Sequence, residues 1–554
     1  MRSVAVTGSA GSLAQGGGAL DGPARRRGPG WGAGLVASLA IGAWPVVAII
    51  RLVTQRNVLT APWGDQALLE TGARQALNLT RTLGPYSRYG WHHPGPALFY
   101  VMALPVGLFG SGPGLNVSMA LINGAAAIAT VVYLWRRFGG LAALWSAAAV
   151  CGLCLSLSMS AVLTPWNPDV LVLPLVAFVV LWADAIRGHL GALAWSAVVA
   201  SFLVQSHIST GPFAVIMLAS AAAGAVIVRR RSSPGRLRSS PVVAAAGLIL
   251  FLASLVPSLI EVVRDRPNNL TLLYRFFVHG TFPRAPIGAA LRQAVDALTV
   301  MPFGVATDPT GAYLPRRGLQ LVLAAVVLVT VAAIGLLVAR RREQPGAQWI
   351  ILGSLLGGIV GLVASTRIDG APLSYLVEWQ AFVPCTLFIG LGCACFGGKG
   401  QAAITSTDHK RAAFERLRPV VTLVVGLCTL ALVAVAVRNV ITHPVTPGVN
   451  DPRVLALNTA TTRAVPPGRE RVTLNIVDSD AWPWAAAAAL ALQREGHPTA
   501  VIPTKTWAPL FGPLPASAAP GTVIAFYDAT TTTPPAGTVQ AQGGALAEFV
   551  PKSG

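Results

Sequence analysis

The fold is decided by the polar stretch Trp63–Pro96, which reads WGDQALLETGARQALNLTRTLGPYSRYGWHHPGP and lies between two hydrophobic segments. It combines carboxylates, arginines and two adjacent histidines with tryptophan and tyrosine side chains. Ionisable groups close to a membrane are costly, so a collection of this kind marks a functional site by default. We interpret the stretch as the catalytic loop of a membrane enzyme.

The composition of the 554-residue chain is that of a polytopic membrane protein: 53% of the residues are hydrophobic and 11% are charged. A soluble domain is about a quarter charged. The formal charge of +20 could suggest nucleic acid as a partner. The arginines, however, cluster between apolar runs, as the positive-inside rule expects, and no basic stripe is interleaved with aromatic residues. We therefore expect contact with membrane lipids and no nucleic acid.

Apolar runs of about 20 residues alternate with arginine clusters, and this alternation predicts eleven membrane spans. The run 97–109 is too short to span, and treating it as half-buried keeps the arginine clusters on one side. The predicted spans are Trp31–Val53, Leu115–Trp135, Leu141–Leu163, Val170–Ile186, Leu190–Val204, Ser209–Val228, Pro241–Val263, Leu319–Ala339, Trp349–Ala364, Tyr375–Phe396 and Pro419–Val440.

Three regions follow from this map. Residues 1–30 are expected to form a disordered cytosolic tail, residues 31–440 a transmembrane catalytic domain, and residues 441–554 a small extracytoplasmic α/β domain. The predicted location is the cell membrane, with the N-terminus in the cytosol. The six cysteines fall within apolar segments, which predicts core packing rather than disulfides or a zinc cluster.

Amphipathic segments at 66–79, 270–278 and 287–298 predict juxtamembrane helices on the outer side. The first is expected to lie on the membrane surface, with Glu70 in solvent. In the C-terminal region the predicted strands are Val472–Asp478, Thr499–Ile502 and Thr522–Tyr527, the predicted helix is Trp482–Glu495, and residues 529–554 have low pattern.

The ionisable residues gather at the outer rim of the predicted bundle. A carboxylate beside arginine and histidine side chains suits deprotonation of a hydroxyl next to a phosphate. The carboxylate would accept the proton, while arginine and histidine would hold the anionic leaving group. The candidates for binding the donor phosphate are Arg88, His92, His93, Arg264, Arg275 and Arg367.

The order of short motifs over residues 31–190 resembles the GT-C superfamily of polyprenyl-phosphate-sugar-dependent glycosyltransferases. The similar branch contains the protein O-mannosyltransferases and the aminoarabinose transferase of lipid A. The motifs are an acidic residue early in the first outer loop, an amphipathic helix, His93-Pro94-Gly95-Pro96, Leu108-Phe109-Gly110, Arg136-Arg137-Phe138-Gly139, and Thr164-Pro165-x-x-Pro168-Asp169.

The resemblance implies an inverting glycosyltransferase that moves a hexose or pentose from a polyprenyl phosphate to an acceptor hydroxyl on the outer face. The acceptor would be a glycan, lipid or protein of the cell envelope. Asp65 is implied as a catalytic residue, to which we assign the role of general base, and Asp169 as a second functional aspartate. The paired His92 and His93 depart from relatives, which more often carry one histidine or lysine before two prolines. The C-terminal domain is expected to help bind the acceptor.

Other interpretations stay open. Asp65 and Asp169 each precede a helix and could cap it, His92 and His93 could anchor a turn, and the arginines could meet lipid headgroups. His207 is expected to pack or to cap a helix end. No local motif has the residue spacing typical of a metal site. A requirement for a divalent metal ion stays open.

The alternative function is a transporter or flippase for a lipid-linked glycan. Transporters place polar residues near the middle of the bilayer on broken helices, whereas these spans are nearly free of charge. A receptor or scaffold would need neither eleven spans nor this loop chemistry.

Overall fold

The computed structural model describes residues 31–54, 61–110, 113–231, 240–280, 283–304, 318–397, 409–443, 451–465, 471–502, 522–528, 533, 539–540 and 545–550. The predicted N-terminal tail, residues 1–30, lies outside the described residues.

Most described residues are helical, and strands occur in one short hairpin and in the C-terminal region. The helices are α1 (Trp31–Thr54), α2 (Asp65–Leu77), α3 (Ala97–Phe109), α4 (Pro113–Phe138), α5 (Gly140–Leu157), α6 (Met159–Leu163), α7 (Val172–Ala185), α8 (Leu190–Ser206), α9 (Gly211–Arg231), α10 (Pro241–Arg264), α11 (Asn269–His279), α12 (Ile287–Leu298), α13 (Val300–Phe303), α14 (Gly318–Arg341), α15 (Pro345–Ser365), α16 (Phe382–Phe396), α17 (His409–Thr442), α18 (Pro452–Ala464) and α19 (Trp482–Arg494). The strands are β1 (Tyr86–Ser87), β2 (Trp91–His92), β3 (Val472–Ile476), β4 (Thr499–Val501), β5 (Thr522–Asp528), β6 (Val539–Gln540) and β7 (Ala545–Val550).

Each of the eleven predicted spans falls on helical segments, although the span 141–163 is divided between α5 and α6 at Ser158. Within the described residues, nine helices are long and apolar enough to cross a membrane. The other two predicted spans correspond to α7, with 14 residues after a 3-10 turn at Asp169–Leu171, and to α8, with 17 residues. Helix α3 has 13 residues, so it is roughly 20 Å long. That is too short for a hydrocarbon core of about 30 Å, as expected from its sequence.

Long-range contacts define two ends of the helical bundle. At one end, Asp184 of α7 forms ion pairs with Arg137 at 2.7 Å and with Arg187 at 2.9 Å. At the same end, Arg342 donates a hydrogen bond to the Cys395 carbonyl oxygen. At the other end, the Asp65 carboxylate accepts a hydrogen bond from the Trp166 indole. Helices α4, α7, α14 and α16 therefore all finish at the arginine-rich end, as the arginine clusters predict. By the positive-inside rule, the arginine-rich end is expected to face the cytosol.

Helix α2 is buried between two other elements instead of lying on a bare membrane surface. It packs against α3 on one side and α19 on the other, and Leu69 and Ala73 are buried. A Cβ at Gly72 would overlap the Phe99 ring of α3, so the glycine permits this close approach. The predicted apolar face exists, but protein covers most of it.

The C-terminal region forms a five-stranded sheet in the order β4-β3-β5-β7-β6. Strands β4, β3 and β5 are parallel, and β7 runs antiparallel to β5 and to β6. The predicted strands and helix are all present, and the segment of low pattern contributes β6 and β7. Helix α19 covers the sheet, and Ala67 of α2 belongs to the same apolar cluster as Leu474 and Phe526. The sheet domain thus shares part of its core with the first loop.

Candidate active site

A cavity of about 1,170 Å³ opens at the end of the bundle that carries Asp65. Several segments that are distant in the chain line it: the first loop, the turn before α7, the α8–α9 connection, the segment after α15 and the first residue of α19. The polar and aromatic lining includes Asp65, Arg81, Ser87, Arg88, Tyr89, His93, Trp166, Asn167, His207, Arg367, Tyr375, Gln380 and Trp482.

Asp65 presents its carboxylate to this cavity. Gly64, with a φ of 55°, occupies the N-cap position of α2, and Asp65 is the first helical residue. Its Oδ2 accepts a hydrogen bond of 3.1 Å from Nε1 of Trp166, and no described backbone amide donates to it. The capping interpretation is therefore wrong. Burial raises the pKa of the Asp65 carboxyl, and the Trp166 hydrogen bond lowers it to a smaller extent.

Arg81 is a buried cation without a carboxylate partner among the described residues. Its guanidinium donates to the carbonyl oxygens of Leu83 (2.6 Å) and Gly84 (2.8 Å) and to Oε1 of Gln75 (3.0 Å). It also lies 4.6 Å from the Phe99 ring centroid. An arginine has five N–H donors, so one N–H on each terminal nitrogen is left over within the described structure. Burial lowers the pKa of Arg81 to about 9, so the group is charged at neutral pH.

The two adjacent histidines occupy different environments. His92 does not line the cavity: its Nδ1 lies 3.0 Å from the Gly84 carbonyl oxygen, and its backbone bonds the Asn269 side chain at 2.8 and 2.7 Å. This arrangement ties α11 to the β1–β2 hairpin. His93 lines the cavity, and its Nδ1 accepts a hydrogen bond of 3.2 Å from the Ile208 amide.

The ring of His93 lies against the ring of His207, with 4.4 Å between their centroids and 34° between their planes. Nδ1 of His207 accepts from the Ser209 amide, so its predicted capping role is confirmed. Burial lowers the pKa of His207 to about 4. Burial and the neighbouring histidines hold the pKa of His93 well below its ordinary value. Both rings are uncharged at neutral pH and can contribute hydrogen bonds but no positive charge.

The four arginines that the sequence suggested for phosphate binding divide into two pairs. Arg88 and Arg367 line the cavity. Arg88 donates to the carbonyl oxygens of Asp369 (3.2 Å) and Ala371 (2.7 Å), and the Arg367 guanidinium has no described partner. Arg264 and Arg275 lie outside the cavity lining and are exposed. Arg264 forms a 2.9 Å ion pair with Asp265.

Asp169 lies at the start of the 3-10 turn before α7, where Pro168 occupies the N-cap position. It is not among the cavity-lining residues. Burial, followed by the charge of Glu378, raises its pKa well above the ordinary value. The structure therefore places Asp169 behind the cavity wall, in a pair of carboxyl groups.

No group of three or more histidine, cysteine, aspartate or glutamate side chains in the described residues is arranged to hold a metal ion. The Asp169–Glu378 pair supplies only two carboxyl groups. These two groups do not complete a ligand set by themselves.

One wall of the cavity is apolar and continues onto the outside of the bundle. It is formed by side chains of α9, α15 and α11, many of them exposed: Val215, Ile216, Ile359, Val360, Val363, Phe276 and Phe277. An apolar surface that joins a polar pocket suits a ligand with a hydrocarbon tail and a polar head.

Sequence reasoning missed Arg81, Trp166 and Trp482 as parts of the site. Arg81 was visible in the polar loop, but its burial depends on Gln75 and Phe99. Trp166 occupies the first unspecified position of the Thr164-Pro165-x-x-Pro168-Asp169 motif, yet its bond to Asp65 joins residues 101 positions apart. A tryptophan in a motif that precedes a span is the signal that could have indicated it.

No protein-family model matches the sequence, and no curated protein matches it either. Among solved structures, ArnT from Cupriavidus metallidurans bound to undecaprenyl phosphate is similar, with a TM-score of 0.51 and 13% identity over 92% of this chain and 97% of that chain. ArnT in the apo state gives a TM-score of 0.51 and 12% identity over the same shares. The archaeal oligosaccharyltransferase AglB from Archaeoglobus fulgidus, in complex with an inhibitory peptide and a dolichol-phosphate, aligns at a TM-score of 0.36, 12% identity, over 87% of this chain and 69% of that chain.

At these identities the similarity to ArnT concerns the fold. The chain has a GT-C-like fold: a polytopic helical bundle with juxtamembrane helices and a small C-terminal α/β domain. The sequence resemblance is confirmed at this level.

Proposed function

We propose that the chain is an integral-membrane glycosyltransferase that moves a sugar from a polyprenyl-phosphate donor to an acceptor hydroxyl. The observation that carries the proposal is one cavity that joins the Asp65 carboxylate, the buried Arg81 cation and an apolar wall open to the outside of the bundle. ArnT, which has the same fold, was solved bound to undecaprenyl phosphate. A lipid phosphate would fit the same three features.

Asp65 would act as the general base. It would accept the proton of the acceptor hydroxyl while the acceptor oxygen forms its bond to the anomeric carbon. The bond from that carbon to the phosphate oxygen would break, and polyprenyl phosphate would leave with the electron pair. Attack opposite the leaving group inverts the anomeric configuration. A base with a raised pKa is the better proton acceptor near neutral pH.

The donor phosphate would lie near Arg81, Arg88 and Arg367. Arg81 offers a preorganised charge, because its fork is already oriented by three neutral acceptors. His93 and His207 would contribute neutral hydrogen bonds. Among the predicted phosphate ligands, this arrangement favours Arg88, His93 and Arg367 over His92, Arg264 and Arg275. Asp169, the second functional aspartate suggested by the sequence, lies outside the cavity lining and would not contact the donor phosphate directly.

The direct test is transfer from a panel of radiolabelled polyprenyl-phosphate sugars in membranes that contain the wild-type chain. Transfer from at least one donor, lost in Asp65→Asn, supports the proposal. If no donor is consumed but a labelled lipid-linked glycan crosses the bilayer of proteoliposomes, the chain is a flippase and the transferase proposal fails. Repeating the active reaction with EDTA and then with added divalent ions tests metal dependence.

The proposed orientation places the cavity outside the cytosol, where nucleotide sugars are absent and lipid-linked sugars serve as donors. A reporter fused after residue 238 should be active only in the cytosol, and one fused after residue 450 only outside. Two reporters active on the same side would refute the eleven-span orientation.

A further inference from the structure

The C-terminal domain contacts the helix that carries Asp65. Glu70 lies five residues after Asp65 on α2, about one and a half turns further along. Its side chain is 0% exposed, although the sequence predicted it in solvent. It forms ion pairs with Arg494 of α19 at 2.6 Å and with Arg74 of α2 at 2.9 Å. Arg494 contacts both carboxylate oxygens.

Three further contacts join the same two elements. The Gly64 amide, directly before Asp65, donates a 3.0 Å hydrogen bond to the Pro483 carbonyl oxygen. The Trp63 and Trp484 rings lie 5.6 Å apart. Trp482 is part of the cavity wall. The start of α19 therefore bonds the start of α2, and the end of α19 bonds its middle.

This contact resists separation for an electrostatic reason. Burial by itself would raise the pKa of Glu70, but Arg494, followed by Arg74, lowers it below the ordinary value, so the carboxylate is ionised. Removing one partner of a buried ion pair leaves an uncompensated charge in a poorly solvated site. Arg494 cannot leave Glu70 without this cost, so α2 is held in one position relative to α19.

From these contacts we propose that the C-terminal domain forms part of the active site, and that the Glu70–Arg494 ion pair positions Asp65. The proposal rests on the transferase function proposed above. A base must lie within hydrogen-bond reach of the proton that it accepts, and a displacement of about 1 Å can cost on the order of a hundredfold in rate. The N-terminal end of α2 is also fixed to α19, because the Gly64 amide donates to the Pro483 carbonyl oxygen.

The experiment compares Arg494→Gln, Arg494→Lys and Glu70→Gln with the control Arg463→Gln. Arg463 is exposed in the same domain and forms no described contact with α2. We expect Arg494→Gln to lower kcat by about 10- to 100-fold. Its Kd for undecaprenyl phosphate should stay within about twofold, because the phosphate-binding arginines are not on α2. Arg494→Lys should recover part of the rate, and Arg463→Gln should equal wild type.

The double variant Glu70→Gln/Arg494→Gln should lower kcat no further than the worse single variant, because the two residues act as a pair. The acid limb of the pH profile should also move to lower pH, since a loosened α2 leaves Asp65 less buried. If Arg494→Gln lowers Tm but retains wild-type kcat below its unfolding temperature, the pair is merely structural and the proposal is overturned.

A readout without turnover separates this proposal from the function itself. In an Asp65→Cys background, the rate of modification by a charged thiol reagent should rise several-fold when Arg494→Gln is added, and remain constant with Arg463→Gln. The parent chain without the Asp65 change corrects for its own cysteines. Equal rates in all backgrounds would refute positioning, even if wild-type transfer is observed. If instead the reagent result is positive and no donor is consumed by the wild type, only the proposed function fails.

Discussion

The loop between α1 and α3 and the segment around α11 both carry arginines, but these arginines lie in different environments. Arg81 in the first loop is buried, lines the cavity and bonds only neutral oxygens. Arg264, just before α11, has 53% of its side chain exposed and is neutralised by Asp265. An arginine can bind a new anion when its charge is not already compensated and water does not compete. The environment, and not the residue type, therefore distinguishes a binding group from a surface group.

The largest expected effect in this comparison belongs to Asp65. Asp65→Asn should reduce transfer by about 100- to 10,000-fold, because an amide cannot accept the proton of the acceptor. Asn retains an oxygen that can accept the Trp166 hydrogen bond, so donor binding should be nearly unchanged. Transfer rate and undecaprenyl phosphate affinity are measured on the same preparation. Near-normal transfer would move the base elsewhere, and Asp169→Asn would be the next variant to measure.

The pH dependence of transfer should follow the same carboxyl. Its pKa is raised, so the rate should fall as pH decreases, over a range that lies above the ordinary aspartate value of 3.8. Stability should change in the opposite direction: a raised folded-state pKa favours the protonated form, so this group stabilises at low pH and loses that contribution as pH rises. Asp65→Asn should thus have a Tm equal to or above that of wild type at neutral pH. A clearly lower Tm would contradict this assignment.

A smaller effect is expected when the buried arginine is changed. Arg81→Lys keeps a positive charge but loses the planar fork, so the affinity for undecaprenyl phosphate should fall by about tenfold. The matched change Arg264→Lys should leave affinity within about twofold, because Arg264 is outside the cavity and paired. Equal losses in both variants would mean that the phosphate lies nearer to α11.

The smallest effects should come from the exposed residues of the second region. Arg275→Ala should alter donor affinity by less than about twofold, while Arg88→Ala in the cavity wall should weaken it several-fold. Arg264→Gln should change the free energy of unfolding by about 1 kcal/mol or less, as is usual for exposed ion pairs. Thermal unfolding and equilibrium binding check both statements. A strong loss in Arg275→Ala would reverse the contrast between the regions.

The path of the chain was predictable because long apolar runs and arginine clusters are local signals. Helix α12 has the predicted bounds, and the C-terminal strands β3, β4 and β5 lie within about two residues of the predicted ones. Strands β6 and β7 were not predicted, because the segment 529–554 that contains them is rich in Pro, Thr, Gly and Ala and shows no clear alternation of apolar and polar residues. Strand β7 pairs with β5, and β6 pairs with β7, so both depend on a sheet formed by strands that are distant in the chain.

The site was only partly predictable. Asp65 could be chosen because it is an acidic residue directly after the first span. Glu70 could not be placed, because its burial depends on Arg494, 424 residues away. His92 and His93 have the same local signal, and only the bond to Gly84 and the contact with His207 distinguish them.

Composition and periodicity alone thus determined that the chain is a helical membrane protein with a polar loop at one end, since burial of apolar runs in lipid requires no knowledge of partners. Tertiary structure decided which charges are compensated. Arg264 meets Asp265 beside it, Glu70 meets Arg494 from the far end of the chain, and Arg81 meets no carboxylate among the described residues. Electrostatic energy depends on distance and solvent exposure, and neither quantity is local in the sequence.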